Sequence, residues 1–336
     1  MERLIIPKDY ETKLDVIETE KAIQLIRSRF EQRFAEEMNL LRVSSPLFVR
    51  PESGLNDNLS GAEKPVTFNV KRADNIPVEI VHSLAKWKRK ALKNYGFTAG
   101  EGLYTDMNAI RAEEELGNLH SIYVDQWDWE KIITREDRNE QELESVVRKI
   151  YRVMKDTERF IAERYPEIAP ILPEDISFIT TQELEDRYPD MTAKERENAI
   201  AKEKKAVFIS KIGGKLRSGE PHDMRSPDYD DWELNGDIVF WYPVLNKALE
   251  LSSMGIRVDR STLIKQLELS GCEDRMELEY HGMVLNNELP FTVGGGIGQS
   301  RFCMFMLRKA HIGEVQASVW SDAMVQQCAA AGIPLL

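Results

Sequence analysis

Arg301 ends the run Phe291-Thr292-Val293-Gly294-Gly295-Gly296-Ile297-Gly298-Gln299-Ser300-Arg301, where a glycine-dense stretch passes into apolar Phe302-Cys303-Met304-Phe305-Met306. Glycines let a backbone approach a ligand closely and adopt φ > 0, so the run predicts a tight strand-to-helix turn. A cation just inside a helix N-terminus opposes the helix dipole and asks for an anionic partner, a nucleotide phosphate being the obvious one. The alternative is an ordinary turn with a solvated arginine. Two better-known glycine motifs do not apply: arginine stands at 301 where a dinucleotide fingerprint needs its third glycine, and no GxxxxGK[ST] occurs.

Other polar clusters sit on or beside strand-like segments, where a rigid scaffold could aim them into one pocket. Asp57, in the loop Gly54-Leu55-Asn56-Asp57-Asn58-Leu59-Ser60-Gly61, could bind an ammonium group or make an Asx-turn. In His82-Ser83-Leu84-Ala85-Lys86-Trp87-Lys88-Arg89-Lys90, Ser83 suits an N-cap, and a helix start beside Lys86 and Lys88 suits a carboxylate or phosphate. The competing reading is a solvated basic face. Arg111 ends a strand-like segment before Ala112-Glu113-Glu114-Glu115; it either pairs with that acidic loop or offers a planar fork to a phosphate. Gln126 and Asp128 share a strand face and could accept hydrogen bonds from a primary amine, or be plain exposed polar residues. Acidic residues in Asp228-Tyr229-Asp230-Asp231, at Asp237 and at Glu250 lie on successive segments and suit Mg²⁺, which takes one or two carboxylates plus phosphate oxygens.

Composition narrows the classes. The chain has 336 residues, 42% hydrophobic and 30% charged, which fits a globular fold with a substantial core and excludes disordered and collagen-like classes. Its 45 Lys+Arg against 57 Asp+Glu give a net charge of −12, which argues against a large nucleic-acid surface. No apolar run approaches the ~20 residues of a membrane span and the first residues lack an apolar signal core, so a cytoplasmic protein is expected. Cys272, Cys303 and Cys328 fit neither a disulfide framework nor a CxxC site and are expected to be reduced, with Cys303 buried. His82, His120, His222, His281 and His311 show no zinc-ligand spacing, and no GxSxG elbow appears.

The elements that must position these groups follow from periodicity. Helices are predicted at Glu18–Met38, Ser83–Asn94, Glu140–Tyr165, Thr181–Arg187, Ala193–Lys204, Ser261–Leu269, Arg275–Asn286 and Gln299–Ala310. Strands are predicted at Leu41–Ser44, Thr67–Val70, Val78–Val81, Gly102–Arg111, Ser121–Trp129, Ile176–Ile179, Ala206–Ile209, Asp237–Tyr242, Glu250–Val258 and Phe291–Val293. Within Ser121–Trp129, Tyr123, Asp125, Trp127 and Trp129 share one face, and Val124, Gln126 and Asp128 the other. No linker breaks the chain. The pattern is that of one α+β domain, residues 1–336, whose antiparallel or mixed sheet is interrupted by a helical insertion around 131–204.

Together Asp57-Asn58-Leu59-Ser60-Gly61-Ala62-Glu63-Lys64, His82-Ser83-Leu84-Ala85-Lys86-Trp87-Lys88-Arg89, Ala99-Gly100-Glu101-Gly102-Leu103-Tyr104-Thr105, Tyr123-Val124-Asp125-Gln126-Trp127-Asp128-Trp129-Glu130, Leu251-Ser252-Ser253-Met254-Gly255-Ile256-Arg257-Val258 and Gly294-Gly295-Gly296-Ile297-Gly298-Gln299-Ser300-Arg301 closely resemble the ammonia-dependent asparagine synthetases, the aspartate–ammonia ligases. Those blocks run in order along nearly the whole chain.

That family resembles the catalytic domain of class II aminoacyl-tRNA synthetases, so the likeness implies an antiparallel sheet with mixed edges flanked by helices, and a homodimer. It implies Arg111 at the ATP α-phosphate, Arg301 on the far side of the nucleotide beside Gly296 and Gly298, and Asp237 with Glu250 at Mg²⁺. Asp57, Ser83, Lys88, Gln126, Asp128, Asp230, Ser253 and Arg257 would line the amino-acid site. Implied substrates are L-aspartate, ATP and ammonia, joined through a β-aspartyl-adenylate, with Asp57 chosen to receive ammonium. Glu2 stands where glutamine-hydrolysing synthetases of the N-terminal-nucleophile type need cysteine, which favours ammonia. Two departures, the short connection Trp232-Glu233-Leu234-Asn235 and Ala112 where proline often follows the arginine, are placed in loops. The alternatives are a synthetase-like protein acting on or binding tRNA, and a catalytically dead paralogue.

Overall fold

The computed structural model describes residues 4–59 and 63–336. In chain order the elements begin with α1 (Val16–Met38), β1 (Leu40–Arg42), β2 (Phe48–Val49), β3 (Thr67–Val70), β4 (Ile76–Ile80), α2 (Ala85–Tyr95), β5 (Gly102–Ile110) and β6 (Tyr123–Ile132). Then come α3 (Glu140–Arg164), β7 (Ser177–Thr180), α4 (Thr181–Arg187), α5 (Ala193–Lys204), β8 (Ala206–Ser210), β9 (Asp230–Tyr242) and β10 (Lys247–Arg257). The last are α6 (Arg260–Ser270), α7 (Glu279–Leu285), β11 (Thr292–Gly298), α8 (Gln299–Met306) and α9 (Asp322–Ala330).

Eight strands form one sheet in the order β1-β5-β6-β11-β10-β9-β8-β7. Its outermost pairs, β1 with β5 and β7 with β8, are parallel, and the inner pairs are antiparallel. Strands β2, β4 and β3 make a small separate antiparallel sheet.

Strand β6 shows how sequence alternation divides the molecule. Trp127 and Trp129 point to one face, where their rings meet Phe30 and Phe34 of α1 at centroid distances of 4.5 and 5.9 Å. Phe302 of α8 completes this aromatic packing at 4.8 Å from Phe30. The amphipathic α3 adds Val146, Val147, Ile150 and Met154 to the same core, so the stretch expected as a helical insertion packs its longest helix against α1 and the main sheet. At ~25 cal/mol per Å² of buried apolar surface, these side chains are a dominant favourable term in folding. Gln126, Asp128 and Glu130 point to the opposite face, where α2, α6 and α7 leave room for a cavity above the strands.

Several helix boundaries agree with local signals. Capping boxes at Thr180 and Thr192 start α4 and α5 at the expected residues. The helix predicted at Arg275–Asn286 is instead a 3₁₀ turn (Glu273–Glu277) followed by α7. Helix α8 stops at Met306, short of Ala310, because Arg308 is left-handed (φ 56°) and the Tyr242 hydroxyl takes over capping by donating to the Met304 carbonyl.

Two larger corrections concern strands. Trp232-Glu233-Leu234-Asn235 lies inside β9, which starts at Asp230; the ends of the stretch pair with β10 at Asp230–Arg257 and Asn235–Gly255, and the residues between bulge from the ladder, Trp232 N donating to the Gln266 side chain and Glu233 N to Asp231. The glycine run is no turn either: Gly294–Gly298 form the second half of β11, none has positive φ, and the strand lies between β6 and β10. These glycines clear space. A Cβ on Gly294 would lie 2.0 Å from Glu130 Oε2, one on Gly295 2.5 Å from Met254 Cβ, and one on Gly296 2.3 Å from Gln126 Oε1.

Candidate active site

A cavity of about 400 Å³ opens above the centre of the large sheet. Asp57, Ser83, Lys88, Arg111, Gln126, Asp128, Asp230, Glu250, Ser253, Arg257, Gly296, Gly298 and Arg301 all border it. Asp237 alone of the expected site residues does not. Ser60 and Gly61, also in the expected Asp57 loop, lie outside the described residues.

One end of the cavity is a closed charge network. Helix α2 begins against Asp128, whose Oδ2 accepts from Leu84 N at 3.2 Å, and one turn later Lys88 reaches the other carboxylate oxygen. Lys88 also donates to the Gly295 carbonyl at 3.0 Å and lies 3.9 Å from Glu130. The Arg257 guanidinium is clamped from both sides: Nε and Nη2 donate to Glu130 at 3.0 and 2.7 Å, and Nη1 donates to Asp230. Lys88, Glu130 and Arg257 are essentially sealed from solvent. Burial would disfavour the Glu130 carboxylate, but Arg257 and Lys88 outweigh it and hold Glu130 below its ordinary range. Asp230 goes the other way: burial raises it more than Arg257 lowers it.

The basic run on α2 is thus no solvated face: Lys86, Lys88 and Arg89 are buried. Lys86 donates to Asp228 at 3.0 Å, and Arg275, His281 and Ser226 converge on the same carboxyl at 3.2, 2.9 and 2.8 Å. Arg89 donates to the backbone carbonyls of Val258 and Pro290, tying α2 to the chain after β10 and before β11. Asp57 does make the Asx-turn, accepting from Leu59 N at 2.9 Å, and also borders the cavity.

The other end has unused donors. Arg111 sits just past β5, its Nη2 making one long contact to the His82 carbonyl (3.4 Å), while Nε is buried with no partner. Arg301 projects from the first turn of α8; Nε and Nη1 donate to the Leu119 and Glu250 carbonyls at 3.3 Å each, and the Glu250 carboxylate is 3.9 Å away. At the helix N-terminus one amide is already taken, Asp125 accepting from Ser300 N at 3.1 Å.

Glu250 on β10 borders the cavity; enclosure opposes its ionisation, but Arg301, Arg225 and Lys194 outweigh that and hold it below the usual carboxylate range. Asp237 on β9 is buried beneath Arg225, which pairs with Oδ2, while Oδ1 has no partner. Burial pushes the Asp237 carboxyl up to about 7, Arg225 opposing and Glu250 reinforcing the shift. Among the described residues no group of three or more His, Cys, Asp and Glu is arranged to hold a metal. A pair of neighbouring carboxylates, one with an unused buried oxygen, does fit an ion that takes one or two carboxylates and completes its shell with phosphate oxygens and water.

Glu130 and Arg225, which pair with Arg257 and Asp237, are not among the site residues expected from sequence. Alternation along β6 places Glu130 on the face of Gln126 and Asp128, and that signal would have found it. Arg225 lies in the irregular segment between β8 and β9, where no periodicity marks it.

The aspartate–ammonia ligase family model matches residues 17–332. An aspartate–ammonia ligase of Clostridium tetani is 63% identical over all of this chain and 98% of its own length, and one of Ruminiclostridium cellulolyticum is 61% identical over the full length of both. Among solved structures, asparaginyl-tRNA synthetase from Pyrococcus horikoshii with asparaginyl-adenylate shares the fold at TM-score 0.64 and 14% identity, over 90% of this chain and 70% of that one. The Entamoeba histolytica enzyme, also with asparaginyl-adenylate, gives 0.62 at 12%, with 90% and 66% covered. The sheet is therefore the mixed-edge, helix-flanked sheet of class II synthetases, and the chain belongs to the aspartate–ammonia ligase family.

Proposed function

We propose that this chain makes L-asparagine from L-aspartate, ammonia and ATP, with Asp57, Arg111 and Arg301 acting at the reacting groups. Family membership supports the reaction. The observation that carries the site is one cavity with a closed carboxylate–cation network at one end and under-used guanidinium groups at the other.

At the closed end Arg257 keeps one N–H on each terminal nitrogen after serving Glu130 and Asp230, and these with Lys88 suit the carboxylate that does not react. Gln126, Asp128, Asp230, Ser83 and Ser253 supply acceptors and hydroxyls for the amino group. The β-carboxylate then attacks the α-phosphorus; its new O–P bond forms as the bond to pyrophosphate breaks. Arg111 and Arg301 donate to charge growing on the phosphates, an effect that mutagenesis elsewhere places at about 10²–10³ in rate per donor. Asp237 and Glu250 would hold Mg²⁺, which when bound supplies charge neutralisation for the triphosphate. Asp57 takes a proton from ammonium; the freed ammonia attacks the β-carbonyl carbon, the C–O bond to AMP breaks, and the surplus proton on nitrogen passes to solvent. Gly296 and Gly298 let the strand backbone lie close to the nucleotide.

Purified protein given aspartate, Mg-ATP and ¹⁵N-ammonium should yield asparagine and AMP; ADP as product, or no asparagine, overturns the reading. A net charge of −12 disfavours tRNA as substrate, and tight tRNA binding in a gel shift at physiological salt would reinstate it. The family resemblance also supports one catalytic unit working as a cytoplasmic homodimer. Among the described residues no helix is long and apolar enough to cross a membrane, and exposed Leu41, Phe48 and Phe68 suit a subunit contact. Light scattering should give twice the chain mass.

A further inference from the structure

Arg225 lies between a buried carboxylate and the cavity. Asp237 is 7% exposed and does not border the cavity, whereas Arg225 does and pairs with it. A buried carboxylate stripped of its partner is costly, so departure of Arg225 from Asp237 is favoured only when another cation offsets that cost. The pairing also belongs to a very short piece of chain. His222 is held by Glu197 at 3.2 Å and Ser226 by Asp228 at 2.8 Å, with Gln266 donating to the Pro227 carbonyl at 2.9 Å. Between these anchors only Asp223, Met224 and Arg225 lie in irregular chain at the cavity wall, and the Arg225–Asp237 pair ties them to β9.

We propose that Arg225 is a built-in counter-cation that competes with the divalent ion for Asp237, so that metal binding displaces Arg225 and releases residues 223–225 from the sheet. Glu250, already open to the cavity, meets the incoming ion first; Asp237, which has an unpaired Oδ1 but does not border the cavity, is reached only as the guanidinium on Oδ2 withdraws. Two cations competing for one carboxylate are linked thermodynamically: whatever free energy the Arg225 pair contributes is subtracted from apparent metal affinity.

The inference rests on the Mg-ATP reading above, but its test uses metal binding without nucleotide. Mn²⁺ is titrated into wild type, Arg225→Ala, Arg225→Gln and Asp237→Asn and followed by electron paramagnetic resonance, with hydrogen exchange measured across 223–225. Both Arg225 variants should bind Mn²⁺ on the order of tenfold more tightly than wild type, within the usual range of coupling energies. Asp237→Asn should weaken binding, and Mn²⁺ should speed exchange at 223–225 in wild type. Equal or weaker Mn²⁺ binding in Arg225→Gln, or unchanged wild-type exchange, overturns the proposal. If Arg225→Ala fails to fold by thermal melt, Arg225→Gln and the wild-type exchange experiment still decide. Wild type that makes no asparagine and AMP overturns the Mg-ATP reading instead, whatever Mn²⁺ does.

Discussion

At the α2 end of the cavity Lys88, Arg257, Asp128, Glu130 and Asp230 are already closely paired within the protein, whereas at the α8 end Arg111 and Arg301 make long contacts to backbone carbonyls and Arg301 one loose ion pair with Glu250 at 3.9 Å. Under the proposed function the difference follows from what each end would bind. A small zwitterion gains most from a preformed pattern of donors and acceptors that costs little to reorganise. A triphosphate brings several negative charges, so its end needs cations whose hydrogen-bonding capacity is still unspent. The first end is coupled to stability and the second is close to free of it.

The largest expected effect is on the closed end. Arg257→Met would leave Glu130 and Asp230 buried without their partner and should cost about 3–5 kcal/mol, read as a drop in urea midpoint. A variant as stable as wild type would show that the network is not what holds β6, β9 and β10 together here. Next comes Arg301→Ala, which should keep the wild-type unfolding midpoint while asparagine formation falls about 10²–10³-fold. Loss of stability of the same size as for Arg257 would erase the contrast between the ends.

The glycines sharpen it at smaller scale. In Gly294→Ala the new Cβ meets Glu130 Oε2 at 2.0 Å and Arg257 Nη2 at 2.6 Å, atoms with no room to yield, and should cost about 1–3 kcal/mol. Gly296→Ala clashes with the Gln126 amide at 2.3 Å, which can swing away, and touches Asp128 Oδ1 at an ordinary 3.5 Å; stability should hold while KM for aspartate rises. Equal unfolding midpoints for the two variants would refute the distinction. The smallest effect is on acid stability. Glu130 is held below its ordinary range in the folded state, so its stabilisation is present above the unfolded value of about 4.3 and lost as pH falls through the folded one. Below about pH 4.3 the stability of Glu130→Gln should therefore fall less steeply, by up to about 1.4 kcal/mol per pH unit. Parallel curves would mean that Glu130 is not ionised in the fold.

How far the chain alone carried the reading depended on the range of the forces involved. Helices α3, α4 and α5 were legible because capping residues and 3.6-residue apolar spacing act within a few positions. The faces of β6 were legible because alternation is a backbone property, and it pointed Gln126 and Asp128 away from the tryptophans. The first half of β9 and the glycine half of β11 were not, because the first is a bulge held by Gln266 of α6 and the second pairs with β6, far away in sequence. Likewise, a lysine-rich run cannot announce that Lys86 and Lys88 will meet Asp228 and Asp128, each 40 or more positions away.

By itself, then, the sequence determined the kinds of groups available, the register of the local elements and the family. Tertiary structure decided which charges are spent and which are left over. It turned a supposed φ > 0 turn into a flat strand whose glycines make room for Gln126 and the Glu130–Arg257 pair, and it put Arg225 over Asp237. The physical reason is that burial and pairing are properties of surroundings: the same arginine is a structural clamp at 257 and an open donor at 301 because β6 and β9 present carboxylates to one and mainly backbone carbonyls face the other.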